Sequence, residues 1–245
     1  MTGGARLLLI LDYDGTLTPI VPWPDAAVLA ASVRGTLSRL AASGRARVAI
    51  LSGRALADLR ARVRLANVVY GGCHGLEIAG GGVRFRHPQA RVAGVAAAAR
   101  ALAAGARSIS GACVEWKGLA VSLHYRRVAA ARRGEVRALA ACVARRAPNL
   151  TVVSGREVFD LVPRVAWDKG RAALWIARRV ARAAGPAPPL LLYAGDDATD
   201  ERAFAALKGR GVTVRVGEGA SLADHAVHGV REVHALLRWI GRAIG

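Results

Sequence analysis

Cysteine is scarce in this chain of 245 residues. Its three cysteines, Cys73, Cys113 and Cys142, are odd in number, far apart and in no CxxC pair. This pattern argues against both a disulfide framework and a structural zinc site. We therefore interpret all three as free thiols that pack as small apolar side chains.

Long apolar runs are also absent. No stretch of 18 residues lacks a charge, so a membrane-spanning helix is not expected. The apolar run Leu7–Leu11 is too short for a signal peptide, and Asp12 and Asp14 follow it at once. We expect a cytoplasmic protein with no membrane partner.

Acidic residues are few, with 17 Asp and Glu against 36 Lys and Arg, and the formal net charge is +19. Such an excess can serve nucleic-acid binding, whose affinity would fall steeply with salt. However, lysine occurs only at Lys117, Lys169 and Lys208, and arginine is spread through alanine-rich segments, as in a compositional bias. No zinc-finger spacing or aromatic-rich RNA motif accompanies the charge. We expect no specific nucleic-acid partner, a monomer, and an anionic small-molecule substrate.

Hydrophobic residues make up 53% of the chain, enough for one large domain or for a core domain with an insert. The apolar run Leu7–Leu11 has the pattern of a parallel strand buried on both faces. Strands and helices then alternate, which is typical of a parallel sheet with helical crossovers. The predicted elements are a helix over 26–42, a strand over 47–51, a helix over 55–64 and a strand over 68–70.

The pattern changes after a glycine-rich turn at residues 71–75. Between 78 and 161, pairs of predicted strands alternate with two helices, which indicates a small α+β unit with an antiparallel sheet. The α/β pattern resumes with a helix that begins behind Asp168, a proline-rich loop and the strand 190–194. We predict a core domain over 1–77 and 162–245 with an inserted cap over 78–161.

Two carboxylates one residue apart, Asp12 and Asp14, follow the first strand. They repel each other unless a cation or a proton lies between them, and Mg²⁺ prefers oxygen ligands of this kind. A carboxylate beside the metal can attack phosphorus and form an aspartyl-phosphate. The alternative is a plain acidic turn that ends with Gly15.

A second acidic group follows the strand 190–194. Asp200 and Glu201 could simply favour the N-terminus of a helix. That explanation fits Asp196 and Asp197 poorly. Since active sites collect at the carboxyl ends of parallel strands, we expect this group to lie near Asp12 and Asp14 and to hold a divalent metal.

Two further features suit an anion. Ser52 and Gly53, in a Ser-Gly-Arg turn between a strand and a helix, offer a hydroxyl and backbone amides. Lys169 begins a helix, where its ammonium can clamp a phosphate oxygen and the nucleophilic carboxylate together. Each feature alone is weak, and Lys169 by itself could be a surface lysine.

The order DxDGT, Ser-Gly-Arg, Lys and GDDxxD resembles the haloacid dehalogenase superfamily of phosphotransferases. Within that superfamily the chain is similar to the trehalose-6-phosphate phosphatases over nearly its whole length. The similar stretches are Leu11–Pro19, Gly72–Glu77, Glu115–Lys117 followed by His124–Arg126, Asp168–Gly170 and Gly195–Glu201.

The resemblance implies a haloacid dehalogenase-like fold, a Rossmann-like parallel sheet with an inserted cap. It also implies a Mg²⁺-dependent phosphatase that hydrolyses trehalose 6-phosphate in trehalose biosynthesis. Asp12 would be the nucleophile, and Asp14 would protonate the leaving sugar oxygen and then activate water. Mg²⁺ would be held by Asp12, the carbonyl of Asp14 and Asp196. Ser52, Gly53 and Lys169 would bind phosphate, with Asp197 and Asp200 orienting waters and Lys169.

The cap would read the sugar. Glu115 and Lys117 lie two apart on a predicted strand, hence on one face, and offer an acceptor and a donor for hydroxyls. An exposed ion pair is the competing interpretation. At the junction of core and cap, His74, Gly75 and Glu77 are further predicted substrate ligands, although His74 could equally have a structural role.

The sequence departs from the family at Asp160 and Val162, where Glu and a basic residue are more usual. Asp160 is therefore not among the predicted contacts. Other sugar phosphatases, acting on sucrose phosphate, mannosylglycerate phosphate or a hexose phosphate, share the core chemistry and remain alternatives. A silent binding module would be expected to lack one of the catalytic groups, and none is missing.

Overall fold

The structure is a computed structural model that describes residues 7–184 and 188–244. Its strands are β1 (Leu7–Leu11), β2 (Ala46–Leu51), β3 (Val68–Gly72), β4 (Glu77–Gly80), β5 (Val83–Arg86), β6 (Cys113–Trp116), β7 (Val121–His124), β8 (Leu150–Gly155), β9 (Val158–Pro163), β10 (Leu190–Gly195), β11 (Val212–Val216) and β12 (His225–Val227). Its α-helices are α1 (Ala31–Ala42), α2 (Leu56–Val63), α3 (Val92–Ala106), α4 (Arg133–Arg146), α5 (Lys169–Ala184), α6 (Ala198–Leu207) and α7 (Val230–Ala243).

The chain divides into two compact units. The first comprises the residues up to Phe85 and those from Trp167 onward, and the second comprises Arg86–Ala166. In the first unit an eight-stranded sheet has the order β12-β11-β10-β1-β2-β3-β4-β5. Neighbouring strands from β12 to β3 in this order are parallel to each other. Strand β4 pairs with β3 in the antiparallel direction.

Strand β1 lies at the centre of this sheet because it is apolar on both faces. Leu7, Leu9 and Leu11 pack into one hydrophobic layer with α1, α2 and α7. Leu8 and Ile10 pack into the opposite layer with α5 and α6. The predicted fold class, a Rossmann-like α/β core, is confirmed.

The second unit has a four-stranded antiparallel sheet in the order β6-β7-β9-β8. Helices α3 and α4 cover one face, where alternate strand residues such as Leu123 and Leu161 join the buried cluster. Successive residues of a strand point to opposite faces, so Ser122, next to Leu123, and Asp160, next to Leu161, lie on the other face.

The predicted boundary between the core and the insert is wrong for residues 78–85. The sequence predicts them in the insert, but β4 pairs with β3 and extends the core sheet. The second unit consequently begins at Arg86 and ends at Ala166 rather than running from 78 to 161. A hairpin at a sheet edge has the same local sequence pattern in either unit. Only the strand with which it pairs shows to which unit it belongs.

Two further strands, β11 and β12, were not predicted, because each is short and lies among turns. Part of the proline-rich loop predicted before β10 lies outside the described residues. Within residues 7–184 and 188–244, no helix is both long and apolar enough to cross a bilayer.

Candidate active site

The ends of three adjacent strands bring the predicted core residues together. β1 lies between β10 and β2 in parallel register, with Leu11 opposite Ala194 and Ile50. The residues that follow these strands therefore emerge at one edge of the sheet. The amide of Asp12 donates to the carbonyl of Ala194 at 2.9 Å, which fixes the start of the acidic loop.

Lys169 lies at the centre of this site. Its Nζ donates to Asp12 Oδ1 at 2.9 Å and to Asp200 Oδ1 at 2.8 Å. All three side chains are nearly inaccessible to solvent. The helix that carries Lys169 begins there because the carboxylate of Asp168 accepts from the amide of Arg171.

Asp200 is fully buried and both of its oxygens are engaged. Oδ1 accepts from Lys169 and, at 2.6 Å, from the Tyr193 hydroxyl, while Oδ2 accepts from the amides of Asp196 and Asp197. A carboxylate with four donors orients its neighbours rather than offering itself as a ligand. The predicted orienting role of Asp200 toward Lys169 agrees with this geometry.

We expect Tyr193→Phe to lower the free energy of unfolding by about 1 to 3 kcal/mol, because a buried charged acceptor loses one donor. Phosphate release should fall only a few-fold, since Lys169 and two amides still hold Asp200. Urea unfolding measures the first effect. Tyr125→Phe is the matched control, because the ring of Tyr125 stacks on Phe159 and no hydrogen bond of its hydroxyl occurs within the described residues. Equal stability of both variants would contradict the role of Tyr193.

Asp197 and Glu201 have structural partners. Asp197 caps α6, accepting from the amide and hydroxyl of Thr199 at 2.8 and 2.6 Å. Glu201 accepts from the Ser221 hydroxyl and the Leu222 amide, and so holds the loop between β11 and β12. Asp197 thus has a helix-start role, which the sequence interpretation gave only to Asp200 and Glu201. An orienting role of Asp197 toward waters stays a prediction.

The remaining donor set fits a divalent cation. Asp12, Asp196 and Asp200 each have a carboxylate oxygen within 4.8 Å of the others. Within the described residues, these three buried carboxyl groups have one ammonium beside them, that of Lys169, and hard oxygen donors suit Mg²⁺. Since Asp200 is saturated, Asp12 and Asp196 are the available carboxylates.

Gly15 is required beside this donor set. Its φ is +84°, and a Cβ there would collide with the carboxylate of Asp196. The glycine of the acidic motif thus permits the approach of the two acidic loops.

Burial raises the pKa of Asp12 well above its usual value, and the neighbouring carboxylates raise it further against the opposing charge of Lys169. Burial opposes the charged form of Lys169, but Asp12 and Asp200 raise its pKa overall. A divalent cation beside Asp12 would favour the anion that nucleophilic attack requires.

Ser52 and Gly53 form the turn between β2 and α2. The hydroxyl of buried Ser52 accepts from the Arg54 amide at 3.2 Å. A second turn braces the first, since the amide of Cys73 donates to the Arg54 carbonyl and that of His74 to the Ser52 carbonyl. Hydrogen bonds between two turns therefore fix the main chain of the Ser-Gly-Arg turn, and its binding of an anion stays a prediction.

The predicted substrate ligands in this unit lie along the bracing turn. His74 has left-handed backbone angles, with φ at +58°. The carbonyl of Gly75 accepts from the Trp167 indole at 2.9 Å. Glu77 follows at the start of β4, opposite Gly72. The main chain of this turn has a structural role, and contact of these residues with substrate stays a prediction.

Asp14 is held by Arg54. Both oxygens accept from the guanidinium, Oδ2 from Nε and Oδ1 from Nη2, each at 2.7 Å. About a third of the Asp14 side chain is accessible, whereas Arg54 is buried. Sequence reasoning used only the serine and the glycine of the Ser-Gly-Arg turn and overlooked this arginine.

In the second unit, Glu115 and Lys117 belong to a polar cluster on the face of the sheet away from the helices. Lys117 Nζ lies 3.8 Å from Glu115 Oε2 and 3.6 Å from Asp160 Oδ1. His124 Nε2 is 2.9 Å from Glu115 Oε2, and Ser122 donates to Asp160. Lys117 and Asp160 are buried to the same extent, so this is not the exposed ion pair of the competing interpretation.

Three members of this cluster, Ser122, His124 and Asp160, were not among the predicted ligands. A signal was available, since they occupy the alternate positions of β7 and β9 that face away from the helices. For Tyr193 the signal was a hydroxyl within an otherwise aliphatic strand.

At one edge of a parallel sheet lie a buried aspartate paired with a lysine, a second acidic loop and a serine-glycine turn, the arrangement that the sequence predicts for a haloacid dehalogenase-like hydrolase. In its fold the chain is similar to a haloacid dehalogenase-like hydrolase from Bacteroides thetaiotaomicron, with a TM-score of 0.65 at 17% identity, over 95% of this chain and 98% of that one. The family model of trehalose-phosphatase matches residues 10–228. The chain belongs to the trehalose-phosphatase family.

Two curated proteins are similar to this chain in sequence. A trehalose-phosphate phosphatase of Mycobacterium bovis is 40% identical over 211 residues, which is 85% of this chain and 53% of the relative. An uncharacterized glycosyl hydrolase of Mycobacterium tuberculosis is 42% identical over 96% of this chain but only 17% of its own length. The chain therefore spans about half or less of these relatives.

Two solved structures cover nearly the whole fold. The C-terminal domain of Candida albicans trehalose-6-phosphate phosphatase has a TM-score of 0.84 at 23% identity, over 98% of this chain and 93% of that one. A trehalose-6-phosphate phosphatase related protein has a TM-score of 0.80 at 25% identity, over 96% and 97% of the two chains.

Proposed function

We propose that the chain hydrolyses trehalose 6-phosphate to trehalose and inorganic phosphate, as a step of trehalose biosynthesis. The observation that carries this proposal is the cluster around buried Asp12, whose Oδ1 lies 2.9 Å from Lys169 Nζ and which has Asp196 close by. The chain that holds this cluster belongs to the trehalose-phosphatase family. This set provides a nucleophile, a positive clamp and a metal ligand in one place.

In the first half-reaction, a carboxylate oxygen of Asp12 attacks phosphorus and the bond from phosphorus to the sugar oxygen breaks. Asp14 gives its proton to that oxygen, because an alkoxide is a poor leaving group. Lys169, the Ser52 hydroxyl and the Gly53 amide stabilise the phosphoryl oxygens. Phosphoryl transfer depends mostly on such positioning and charge stabilisation.

In the second half-reaction, Asp14 is a carboxylate and accepts a proton from water. The water oxygen attacks phosphorus, the bond to Asp12 breaks, and inorganic phosphate leaves. Asp14 thereby regains its proton and Asp12 its charge. Lys169, anchored by Asp200, keeps Asp12 in place through both steps.

The proposed cofactor is Mg²⁺, held by Asp12, Asp196 and the backbone carbonyl of Asp14. When bound, the ion neutralises charge on the phosphate and on Asp12. The support is the excess of buried carboxylates over ammonium groups near Asp12. Chelation with EDTA should stop phosphate release, and adding Mg²⁺ should restore it.

We propose that the second unit is the cap that selects the substrate, and that its polar cluster binds sugar hydroxyls. Glu115 and Asp160 offer acceptors and Lys117 a donor, and an oxygen of each carboxylate lies within 4 Å of Lys117 Nζ. His124 and Ser122 orient the two carboxylates. Alternating donors and acceptors on a buried face suit a ligand with many hydroxyl groups.

Glu115→Ala and Lys117→Ala should reduce kcat/KM for trehalose 6-phosphate roughly tenfold to a hundredfold each, because a buried polar partner is left unpaired. Activity on p-nitrophenyl phosphate, which has no sugar hydroxyls, should change little. Glu135→Ala is the control, since Glu135 pairs with Arg132 at the surface of the same unit. Parallel losses on both substrates would instead indicate a folding defect.

Phosphate release across a panel of sugar phosphates, with and without Mg²⁺, tests the proposed function. Trehalose 6-phosphate should be the preferred substrate over sucrose phosphate, mannosylglycerate phosphate and glucose 6-phosphate. Equal rates on all of them would contradict the assignment. A preference for another sugar phosphate of the panel would support the proposed phosphatase chemistry and contradict only the choice of substrate.

A cytoplasmic location, a monomeric state and the lack of a specific nucleic-acid partner are further parts of the proposal. The compositional origin of the positive charge supports the last of these. Sedimentation tests the monomeric state, and a salt titration of nucleic-acid binding tests the lack of a specific partner. Fractionation of cells tests the location.

A further inference from the structure

We propose that Arg54 is a positioning residue that sets the orientation of the Asp14 carboxylate for proton transfer. This inference rests on the proposed function, because Asp14 acts there as acid and base. Arg54 reaches Asp14 from a different strand end, 40 residues along the chain.

The two side chains meet in a bidentate arrangement. Nε and Nη2 of Arg54 donate to the two oxygens of Asp14, both at 2.7 Å. Two parallel bonds fix the rotation as well as the position of a carboxylate, which a single bond or a lysine ammonium cannot do. Asp14 otherwise has a partly accessible side chain next to a glycine with left-handed angles.

The guanidinium itself is anchored independently of Asp14. Nη1 donates to Asp58 at 2.9 Å, and Nη2 also donates to the Pro24 carbonyl at 2.8 Å. Its central carbon lies 5.3 Å from the centre of the Tyr13 ring. Arg54 is therefore a rigid support for Asp14 rather than a side chain that follows it.

The charge of Arg54 is secure at this site. Burial opposes the charged guanidinium, but hydrogen bonds and charge from Asp14 and Asp58 raise its pKa overall. The backbone of Arg54 also belongs to the predicted anion-binding turn, through Ser52 and Cys73. One residue thus links the phosphate-binding turn to the acid and base.

The bidentate contact is compatible with a proton on Asp14. A proton on one carboxylate oxygen displaces one of the two bonds, and the other bond keeps the carboxyl group next to Arg54. After the proton has moved to the sugar oxygen, both bonds re-form with the carboxylate and fix its rotation again. The position of the group is therefore kept in both half-reactions, and its rotation is fixed when Asp14 acts as the base.

The test uses Arg54→Lys and Arg54→Ala with two substrates, an alkyl sugar phosphate that the protein hydrolyses best and p-nitrophenyl phosphate. A sugar alkoxide needs a proton to leave, whereas p-nitrophenolate needs it much less. We expect kcat on the sugar phosphate to fall about a hundredfold, the scale of a misplaced catalytic group. On p-nitrophenyl phosphate the fall should stay below about tenfold, and KM should change little for both.

The matched control is Arg62→Lys. Arg62 belongs to the same network, through Asp58 and Asp25, but does not contact Asp14. Its variant should keep the ratio of the two substrates. Thermal unfolding of every variant identifies those that are folded, and Arg54→Lys keeps the charge and most of the volume if Arg54→Ala fails to fold.

The Asp14→Asn variant completes a double-mutant cycle. It should itself lose far more activity on the sugar phosphate than on p-nitrophenyl phosphate. If Arg54 acts through Asp14, adding Arg54→Lys to Asp14→Asn should cause no further substrate-selective loss. Additive losses, or equal losses of Arg54→Lys on both substrates, would overturn the proposal. Because the alkyl substrate is taken from the panel, a wrong assignment of trehalose 6-phosphate would not affect this test.

Discussion

Asp12→Asn is expected to abolish phosphate release, with a loss of at least about a thousandfold, the scale on which an essential catalytic group acts. The asparagine keeps the shape of the side chain. It removes the attacking carboxylate oxygen and the negative charge that would hold the metal. It also removes the carboxylate that pairs with Lys169 at 2.9 Å. Steady-state phosphate release from the best sugar phosphate measures the effect.

The control for this change is Asp25→Asn, since the Asp25 side chain is almost fully exposed and, within the described residues, forms its ion pair with Arg62. Its activity should equal that of the parent. Thermal unfolding should show that Asp12→Asn is folded. Residual activity within about tenfold of the parent would reject Asp12 as the nucleophile.

Lys169→Met should be nearly as severe, with activity reduced by about a hundredfold to a thousandfold. Among the described residues, Lys169 is the one ammonium that pairs with Asp12 and Asp200, and all three groups are buried. Its removal leaves both buried carboxylates without their opposite charge, although three neutral donors still hold Asp200, and such a loss costs roughly 3 to 5 kcal/mol of stability. Urea unfolding and phosphate release should therefore both change.

Mg²⁺ should restore part of the lost stability of Lys169→Met, because a cation beside Asp12 replaces some of the missing charge. Lys208→Met is the control, since Lys208 is exposed at the end of α6. A variant of Lys169 with parental stability and activity would contradict the central position of this ammonium.

The positions of the main core-site residues could be predicted from local patterns. An apolar run followed by Asp12 predicts a buried strand with acids at its carboxyl end, and the structure has that arrangement. Asp196 after β10 and Lys169 at the start of α5 follow the same logic. Parallel pairing then brings these strand ends together, so their convergence could be predicted without coordinates.

The role of Arg54 could not be found in this way. Arginine is the default cation of this chain, with only three lysines among 36 basic residues, so one more arginine carries no signal. Its contact with Asp14 depends on two rotamers and on the packing of Pro24 and Tyr13 around the guanidinium. These are properties of the folded molecule alone.

Asp160 gives a similar lesson from the second unit. Its shorter side chain, where the family more often has Glu, removed it from the predicted contacts. The antiparallel register nevertheless sets Asp160 opposite Ser122 and within 3.6 Å of the Lys117 ammonium. Register is fixed by long-range pairing and by the buried face of the sheet, which a single strand does not reveal.

The sequence by itself determined the class of fold, the place of Asp12 after β1, the place of Lys169 at the start of α5 and the two acidic loops, because strand periodicity and strand-end position are local properties. Only the tertiary structure decided which residues complete the site. It joined β4 and β5 to the core sheet, saturated Asp200 with four donors and placed Arg54 against Asp14. Each of these outcomes depends on which distant segments pair and on how buried charges find partners, and both are settled when the chain packs.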